Sequence, residues 1–557
     1  MSSNPRPLIG MVVPLVIILF TTETSAGDSG VVNLREDVQL IGEAFASEKY
    51  PGSYGYAYYG IRYGVSKRFE ASAENTDFSY ISNSSRSKQG NVCPQGFLNG
   101  LPPVTGKIID EDCLYLDVYV PPRLPNNTDA WTSMVWIHGG GFQAGTKDSY
   151  NSSSLADSVG SIVVTINYRL TAFGFLSTGD DSTKGNFGLG DCKTAIKFVH
   201  KYIEKFGGKA TGITLFGQSA GATLVSAALL DPVIRDIVWS AIMFSGSVLV
   251  DLDYVRNPLS AANQVAAAAG CPVNTTDALA GCLKALPYEE LQKAALVVPA
   301  SPITASFGLV IDHDHLKDVP LRALQQTLDG GYTSPNIVTS YLREDAALIL
   351  TLAIPDLLDP TKPLTIDGVR TIVAKNLLPR DGKPLCTVPD YALADRVMQH
   401  YNLSATDSRD DTLLKLYHLG TEALQAFPAV KEASIYASHS VSSWPSVQLI
   451  KIIYDSHYNG FHAFHAMELP YIFGPWLLLP NQTYDPRLTV RIRSMLQQVA
   501  YHGRMDGPGF LQGSQYGYNE LGLDAQWSAC SYDLAAMYQY WQQIANEPCP
   551  IGNGTTY

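Results

Sequence analysis

The segment Phe216-Gly217-Gln218-Ser219-Ala220-Gly221, near the middle of the chain, most constrains the fold. Residues 212–216 before it predict a buried strand from their β-branched and aromatic content, and the small and aliphatic residues 220–230 predict a helix. A serine at so tight a strand-to-helix turn must adopt strained backbone angles, and the residues two positions away must have almost no side chain. A chance match is the alternative, because G-x-S-x-G alone is common. The flanking strand and helix instead predict an α/β fold that presents Ser219 as a nucleophile.

A second motif, Trp136-Ile137-His138-Gly139-Gly140-Gly141-Phe142, follows the apolar run at residues 134–137. Acyl transfer builds negative charge on a former carbonyl oxygen, and backbone N–H groups of a glycine run can approach that oxygen closely. We therefore predict Gly140, Gly141 and Ala220 as oxyanion donors, the alternative being a glycine turn without chemistry. A phosphate loop is not favoured, since neither G-x-G-x-x-G nor a following Lys-Ser/Thr is present.

A histidine far downstream, His465, lies in His465-Ala466-Met467-Glu468. In hydrolases with a serine turn of this kind the chain order is nucleophile, acid, histidine, and the acid follows a strand. Residues 335–345 form a strand-like run that ends in two carboxylates, Glu344 and Asp345. The sequence therefore offers two adjacent carboxylates for the acid.

These motifs, together with Glu-Asp-Cys-Leu-Tyr-Leu-Asp-Val-Tyr at residues 111–119, resemble the type-B carboxylesterase and cholinesterase branch of the α/β hydrolases. The resemblance runs from about residue 60 to residue 473. It implies an α/β-hydrolase fold, with a mixed, mostly parallel central sheet flanked by helices and with large helical insertions. It also implies a serine carboxylic-ester hydrolase. In such an enzyme Ser219 would be the nucleophile, Glu344 the acid and His465 the base. The oxyanion hole would be formed by Gly140, Gly141 and Ala220.

Several alternatives remain within this site. Asp345 stands where the family normally has glycine, so it competes with Glu344, which we prefer. His462 would share a helical face with His465, but only His465 has the family's glutamate three residues later. A metal site is a further alternative, with the ligands His457, His462, His465 and Glu468. Because a serine turn with an oxyanion loop needs no metal, we expect neither a metal nor a cofactor.

The first 26 residues predict a secretory signal peptide, with an early Arg6, an apolar run at residues 8–20 and small residues at Thr24 and Ala26. A retained anchor is the alternative. No later segment approaches the roughly 20 apolar residues of a spanning helix, so we expect no membrane anchor after cleavage. The chain also contains N-glycosylation sequons, which support a secreted glycoprotein, at Asn83, Asn126, Asn151, Asn274, Asn402, Asn481 and Asn553.

The composition is that of a globular protein, with 46% hydrophobic and 16% charged residues. The formal charge of −13 argues against nucleic-acid or anionic-membrane partners. No internal repeat or long linker divides the chain, so residues 27–557 are predicted to form a single carboxylesterase domain. The sequence does not indicate an oligomeric state.

Eight cysteines fit an oxidising compartment. The resemblance implies that Cys93 pairs with Cys113 and Cys271 with Cys282. The other cysteines cannot be paired from the sequence; they are Cys192, Cys386, Cys530 and Cys549. For Cys192 we predict a small buried thiol rather than a reactive one.

The departures from the family pattern bear on the substrate. The Cys93–Cys113 loop is shorter than the lid of lipase-like relatives and has no tryptophan for a quaternary ammonium, and Gln218 replaces the glutamate that usually precedes the nucleophile. We therefore predict soluble, uncharged, short-to-medium acyl esters as substrates. The alternatives are a lipase, a sterol-ester, amide or lactone hydrolase using the same site, or a non-catalytic adhesion member of the fold.

Overall fold

A computed structural model describes residues 30–79, 89–96, 106–123, 128–255, 257–298, 306–330, 335–379, 389–439, 447–454, 463–479, 482–506, 518–521 and 532–548. The predicted signal peptide therefore lies outside the described residues. So do four of the seven sequons, at Asn83, Asn126, Asn481 and Asn553.

Within these residues the central element is a ten-stranded sheet with the order β14-β13-β12-β11-β10-β8-β9-β7-β4-β3. The strands from β14 to β9 in that order pair in parallel, and β9, β7, β4 and β3 pair antiparallel. The strands are β1 Val31–Arg35, β2 Val38–Ile41, β3 Glu43–Ala46, β4 Tyr54–Arg62, β5 Gly64–Val65, β6 Ala73–Glu74, β7 Tyr115–Val120, β8 Trp131–Ile137, β9 Ile162–Ile166, β10 Gly208–Gln218, β11 Val238–Phe244, β12 Asn336–Leu342, β13 Val447–Ile452 and β14 Asn519–Leu521.

Helices follow most of the parallel strands, as crossover connections require. They are α1 Ser153–Val159, α2 Thr171–Phe175, α3 Phe187–Tyr202, α4 Ala220–Ala228, α5 Pro232–Ile237, α6 Pro258–Ala268, α7 Thr276–Ala285, α8 Tyr288–Ala295, α9 Pro320–Asp329, α10 Asp345–Ala353, α11 Ile366–Asn376, α12 Tyr391–His400, α13 Arg409–Thr421, α14 Phe427–His439, α15 Leu469–Ile472, α16 Pro486–His502 and α17 Tyr532–Asn546. A π-helical turn, Glu422–Ala426, joins α13 to α14, and short 3-10 turns include Asp251–Asp253 and Pro475–Leu477. The predicted mostly parallel sheet with large helical insertions is confirmed.

The sheet is buried on both faces, because alternate residues of a strand point to opposite sides. In β8, Met134 and Trp136 pack into one apolar cluster, whereas Val135 and Ile137 pack into the other. Strands buried on both faces are expected to be nearly continuous hydrophobic runs, as β8 is. No helix in the described part of the chain has the length and apolar character required to cross a membrane.

Both disulfides implied by the family resemblance are formed, Cys93–Cys113 and Cys271–Cys282. Cys192 is a buried free thiol, and burial raises its pKa well above the usual range, as predicted for an unreactive cysteine. Cys386, Cys530 and Cys549 lie outside the described residues.

Candidate active site

The serine turn has the geometry that its sequence predicts. Ser219 lies between β10 and α4 with φ 57° and ψ −131°, a strained conformation for a residue with a side chain. A Cβ atom on Gly217 would lie 2.5 Å from the carbonyl oxygen of Gly221, and one on Gly221 would lie 2.1 Å from that of Ile137. The two flanking glycines are therefore required by close approach of the backbone.

The glycine loop lies beside this turn because β8 and β10 are neighbouring parallel strands, with Ile137 opposite Gly217. Parallel strands bring their carboxyl ends to the same edge of a sheet, where ligands of α/β proteins bind. Gly140 has φ 112°, and a Cβ atom there would lie 1.9 Å from the carbonyl oxygen of Ala144. Among the described residues, none accepts a hydrogen bond from the backbone N–H of Gly140, Gly141 or Ala220. These three groups are available to a ligand oxygen.

His465 is buried and hydrogen-bonds to a carboxylate through Nδ1. Its partner is Asp345, whose Oδ1 lies 2.6 Å from Nδ1 of His465. The other oxygen of Asp345 accepts a hydrogen bond from the backbone N–H of Leu342 at 2.9 Å, and Asp345 is 0% exposed. The preferred assignment of Glu344 as the partner of His465 is therefore wrong by one residue.

The physical reason lies in the way the backbone leaves β12. β12 ends at Leu342, and Glu344 (φ −122°, ψ 40°) is no longer extended; its N–H donates to the carbonyl oxygen of Ala463. The chain turns at this point into α10, and Asp345, the first residue of that helix, is the one whose carboxylate faces His465. The charge of Glu344 is felt at Tyr417: burial raises the pKa of Tyr417 to about 12, Arg409 opposes the rise and Glu344 adds to it.

The other ring nitrogen of His465, Nε2, lies 3.1 Å from Nε2 of Gln218, the residue before the serine. No hydrogen bond joins Ser219 Oγ to His465 in the part of the chain that the structure describes. Catalytic hydrogen bonds are often long before substrate binds and tighten in the complex. The Gln218 amide thus contacts Nε2 of His465, the ring nitrogen that would accept the proton of Ser219.

Several buried carboxylates surround His465. Burial lowers the pKa of this histidine, but the hydrogen bond and charge of Asp345, together with the charges of Glu468 and Asp253, raise it above its usual value. Burial also raises the pKa of Glu468 to about 8, and among the described residues neither of its carboxylate oxygens has a hydrogen-bond partner. The site therefore favours a protonated imidazole more than bulk water does.

Asp253 comes from a different part of the chain, the short turn Asp251–Asp253 after β11. Its Oδ2 accepts a hydrogen bond from Thr223 Oγ1, one helical turn after Ser219 in α4. Burial raises the pKa of Asp253 to about 6. No local sequence pattern indicates this contact, because the two residues meet only through the packing of the turn on α4.

The described residues contain no cluster of histidine, cysteine and carboxylate side chains suited to a metal ion. His457 and His462, which belong to the alternative metal set, lie outside the described residues. His465 and Glu468 are both described, and Nδ1 of His465 is used by Asp345.

Comparison of the sequence with known protein families agrees with the arrangement of the serine turn and the histidine. Residues 29–551 match the sequence model of the carboxylesterase family. The chain belongs to the carboxylesterase family. The match covers nearly the whole chain, so the predicted type-B carboxylesterase resemblance and α/β-hydrolase fold are confirmed.

Individual relatives carry related names. A carboxylic ester hydrolase of Bombus ignitus is 38% identical over 226 residues, which is 40% of each chain. A bile salt-activated lipase of Bos taurus is 37% identical over 236 residues, again 40% of each chain. A medium-chain fatty acyl-CoA hydrolase precursor of Anas platyrhynchos is 28% identical over 457 residues, or 79% of this chain and 77% of that protein. The names of these relatives agree with the family match, and the Bombus and Bos alignments span 40% of those proteins.

Proposed function

We propose that this protein is a secreted serine esterase that hydrolyses carboxylic esters through a covalent acyl-enzyme, with Ser219, His465 and Asp345 as its triad. The observation that most supports the proposal is the strained Ser219 turn at the same sheet edge as the buried Asp345–His465 pair. Strain of this kind persists only where the surrounding structure holds it, and it occurs at functional sites.

Acylation begins when His465 Nε2 takes the proton of Ser219 Oγ as the oxygen attacks the ester carbonyl. Asp345 holds the proton on Nδ1, so Nε2 presents its lone pair, and its charge stabilises the imidazolium that forms. The N–H groups of Gly140, Gly141 and Ala220 bind the carbonyl oxygen as it becomes negative. His465 then protonates the departing alcohol, and the C–O bond to the alcohol breaks.

Deacylation uses the same groups. His465 Nε2 takes a proton from water as the water oxygen attacks the acyl carbonyl, and the same N–H groups hold the second oxyanion. His465 returns the proton to Ser219 Oγ, and the carboxylic acid leaves. Before each attack Nε2 must exchange its contact with Gln218 for one with the serine or the water.

The proposed substrates are soluble, uncharged esters with short-to-medium acyl groups. The short Cys93–Cys113 loop supports this part of the proposal, since it leaves little chain to cover an apolar groove. Gln218 is neutral, so the residue before the serine offers no charge to a cationic alcohol group.

We further propose that the protein is secreted. The two disulfides support it, because such bonds persist in oxidising compartments. The predicted signal peptide and sequons agree with it.

The proposal is tested by replacing Ser219 with alanine and measuring hydrolysis of chromogenic esters of increasing acyl length. Loss of the nucleophile in a triad enzyme lowers kcat by about 10⁶, so hydrolysis should fall to background. Ser260→Ala is the matched control, because Ser260 is exposed and lies outside the site. Circular dichroism checks that both variants fold.

Two results would contradict the proposal. A Ser219→Ala variant that retained activity within about tenfold of the wild type would remove the serine from the mechanism. A folded wild-type protein inactive on every ester would instead favour the non-catalytic alternative.

A further inference from the structure

A groove of about 670 Å³ lies at the edge of the central sheet and shares no residue with the candidate active site. We call it the edge groove. Its walls include Phe45 of the edge strand β3, Trp476 and Leu477, and the polar residues Glu48, Asp148 and Asn151. Phe45 and Leu477 both pack against the same apolar cluster, so the groove has an apolar base and a polar border.

Trp476 presents an aromatic surface to this groove. It is 54% exposed, although it is one of the largest apolar side chains in the protein. The indole packs closely on Gly474, because a Cβ atom there would lie 1.9 Å from ring atom Cζ3 of Trp476. Gly474 therefore allows the ring to pack over the backbone while its other face stays in solvent.

The third feature of the groove is Asn151, the first residue of the sequon Asn151-Ser152-Ser153. Its side chain is oriented, because Oδ1 accepts a hydrogen bond from the backbone N–H of Ser153 at 3.0 Å. No described residue accepts a hydrogen bond from Nδ2, the atom to which a glycan is attached. An attachment site for a sugar thus lines the same groove as an exposed indole.

We propose that the edge groove is the binding site of the N-linked glycan carried by Asn151, whose first sugars pack their C–H face on the indole of Trp476. Sugars have an apolar C–H face and a polar border of hydroxyl groups. The groove has the complementary surfaces, an indole beside the exposed side chain of Glu48. The inference rests on the proposed secretion, since glycans are added in the secretory pathway.

A glycan bound here would also cover the edge of the sheet. β3 is the last strand at one end of the sheet in the described part of the chain, and most of its residues are exposed. Exposed strand edges are sites of unwanted pairing with other chains, and proteins commonly cover them. The bound glycan would give β3 such a cover.

The test uses the full chain secreted from a eukaryotic host. Mass spectrometry of glycopeptides measures occupancy at Asn151 and at Asn274, an exposed sequon asparagine before α7 that serves as the internal reference. Native protein is then digested with a peptide-N-glycosidase, and release is followed at both sites. We expect release at Asn151 to be about fivefold slower than at Asn274, a difference that one weak contact can produce.

Variants assign the protection to the indole. Trp476→Ala should release the Asn151 glycan as fast as the Asn274 glycan, whereas Trp476→Phe should keep part of the protection. Trp239→Ala is the control, because Trp239 is also partly exposed but does not line the groove. Denatured protein should lose the difference between the two sites.

Four results would overturn the inference. An empty Asn151 beside an occupied Asn274 would remove the glycan but leave the proposed secretion intact. Failure of the host to secrete the protein would overturn the proposed secretion, and with it the inference. Equal release at the two sites, or protection that survives Trp476→Ala, would show that the groove does not bind the glycan.

Discussion

Replacing Asp345 with asparagine tests the identity of the acid. The Asp345 carboxylate lies 2.6 Å from Nδ1 of His465 and also accepts the N–H of Leu342 at 2.9 Å. In Asp345→Asn the remaining side-chain oxygen can keep the bond to Leu342, so the new NH₂ group faces Nδ1. Nδ1 must then accept a hydrogen bond, which moves the ring proton to Nε2 and removes the lone pair that Ser219 needs. The loss in kcat should be about 10⁴, or about 5.4 kcal/mol of transition-state stabilisation.

Glu344→Gln is the matched control, because it makes the same chemical change one residue earlier. Because the Nδ1 partner of His465 is Asp345, one residue later, kcat should change by less than about tenfold. The assay measures kcat and KM with a p-nitrophenyl ester, with circular dichroism as a check on folding. A large loss in Glu344→Gln with a mild effect in Asp345→Asn would refute the assignment.

Three further predictions concern the pH dependence, the serine turn and the substrate. His465 must be neutral to accept a proton, and its pKa is raised above 6.5, so kcat/KM should decline as the pH falls through that raised pKa. Asp253→Asn removes one of the carboxylates that raise the pKa of His465, and the acid limb of the pH profile should therefore move to lower pH. An acid limb that does not move would contradict the account. Gly221→Ala should lower both kcat and the melting temperature, because its Cβ would lie 2.1 Å from the Ile137 oxygen; a variant like the wild type in thermal unfolding and kinetics would show that the turn tolerates a side chain. Rates with a medium-chain ester should rise smoothly across its solubility limit, and a choline ester should be favoured over its neutral carbon isostere by less than about tenfold; a jump once droplets form, or a stronger preference for the cation, would contradict the substrate proposal.

Local patterns predicted the parts of the site that local geometry determines. The serine turn follows from two glycines within a strand–turn–helix segment, and the glycine loop from its position after a buried strand. The acid could not be assigned in the same way, since Glu344 and Asp345 are adjacent carboxylates after one strand. Which of them faces His465 depends on where the extended backbone ends and α10 begins.

Tertiary contacts account for the rest. The proximity of the Gln218 amide to His465 joins residues that are 247 positions apart, and nothing in either motif indicates it. Asp253 reaches the site only because its turn packs on α4, where Thr223 donates to it. The family resemblance predicted the fold and both described disulfides correctly, because these depend on the whole chain rather than on one side chain.

The central claim, that Ser219 is the nucleophile of an ester hydrolase, is tested most directly by reaction with a fluorophosphonate followed by peptide mass spectrometry. We predict one phosphonyl group per chain, on the peptide that contains Ser219, with ester hydrolysis lost in proportion to labelling. Labelling on another residue, or hydrolysis that persists when Ser219 is fully labelled, would contradict the claim.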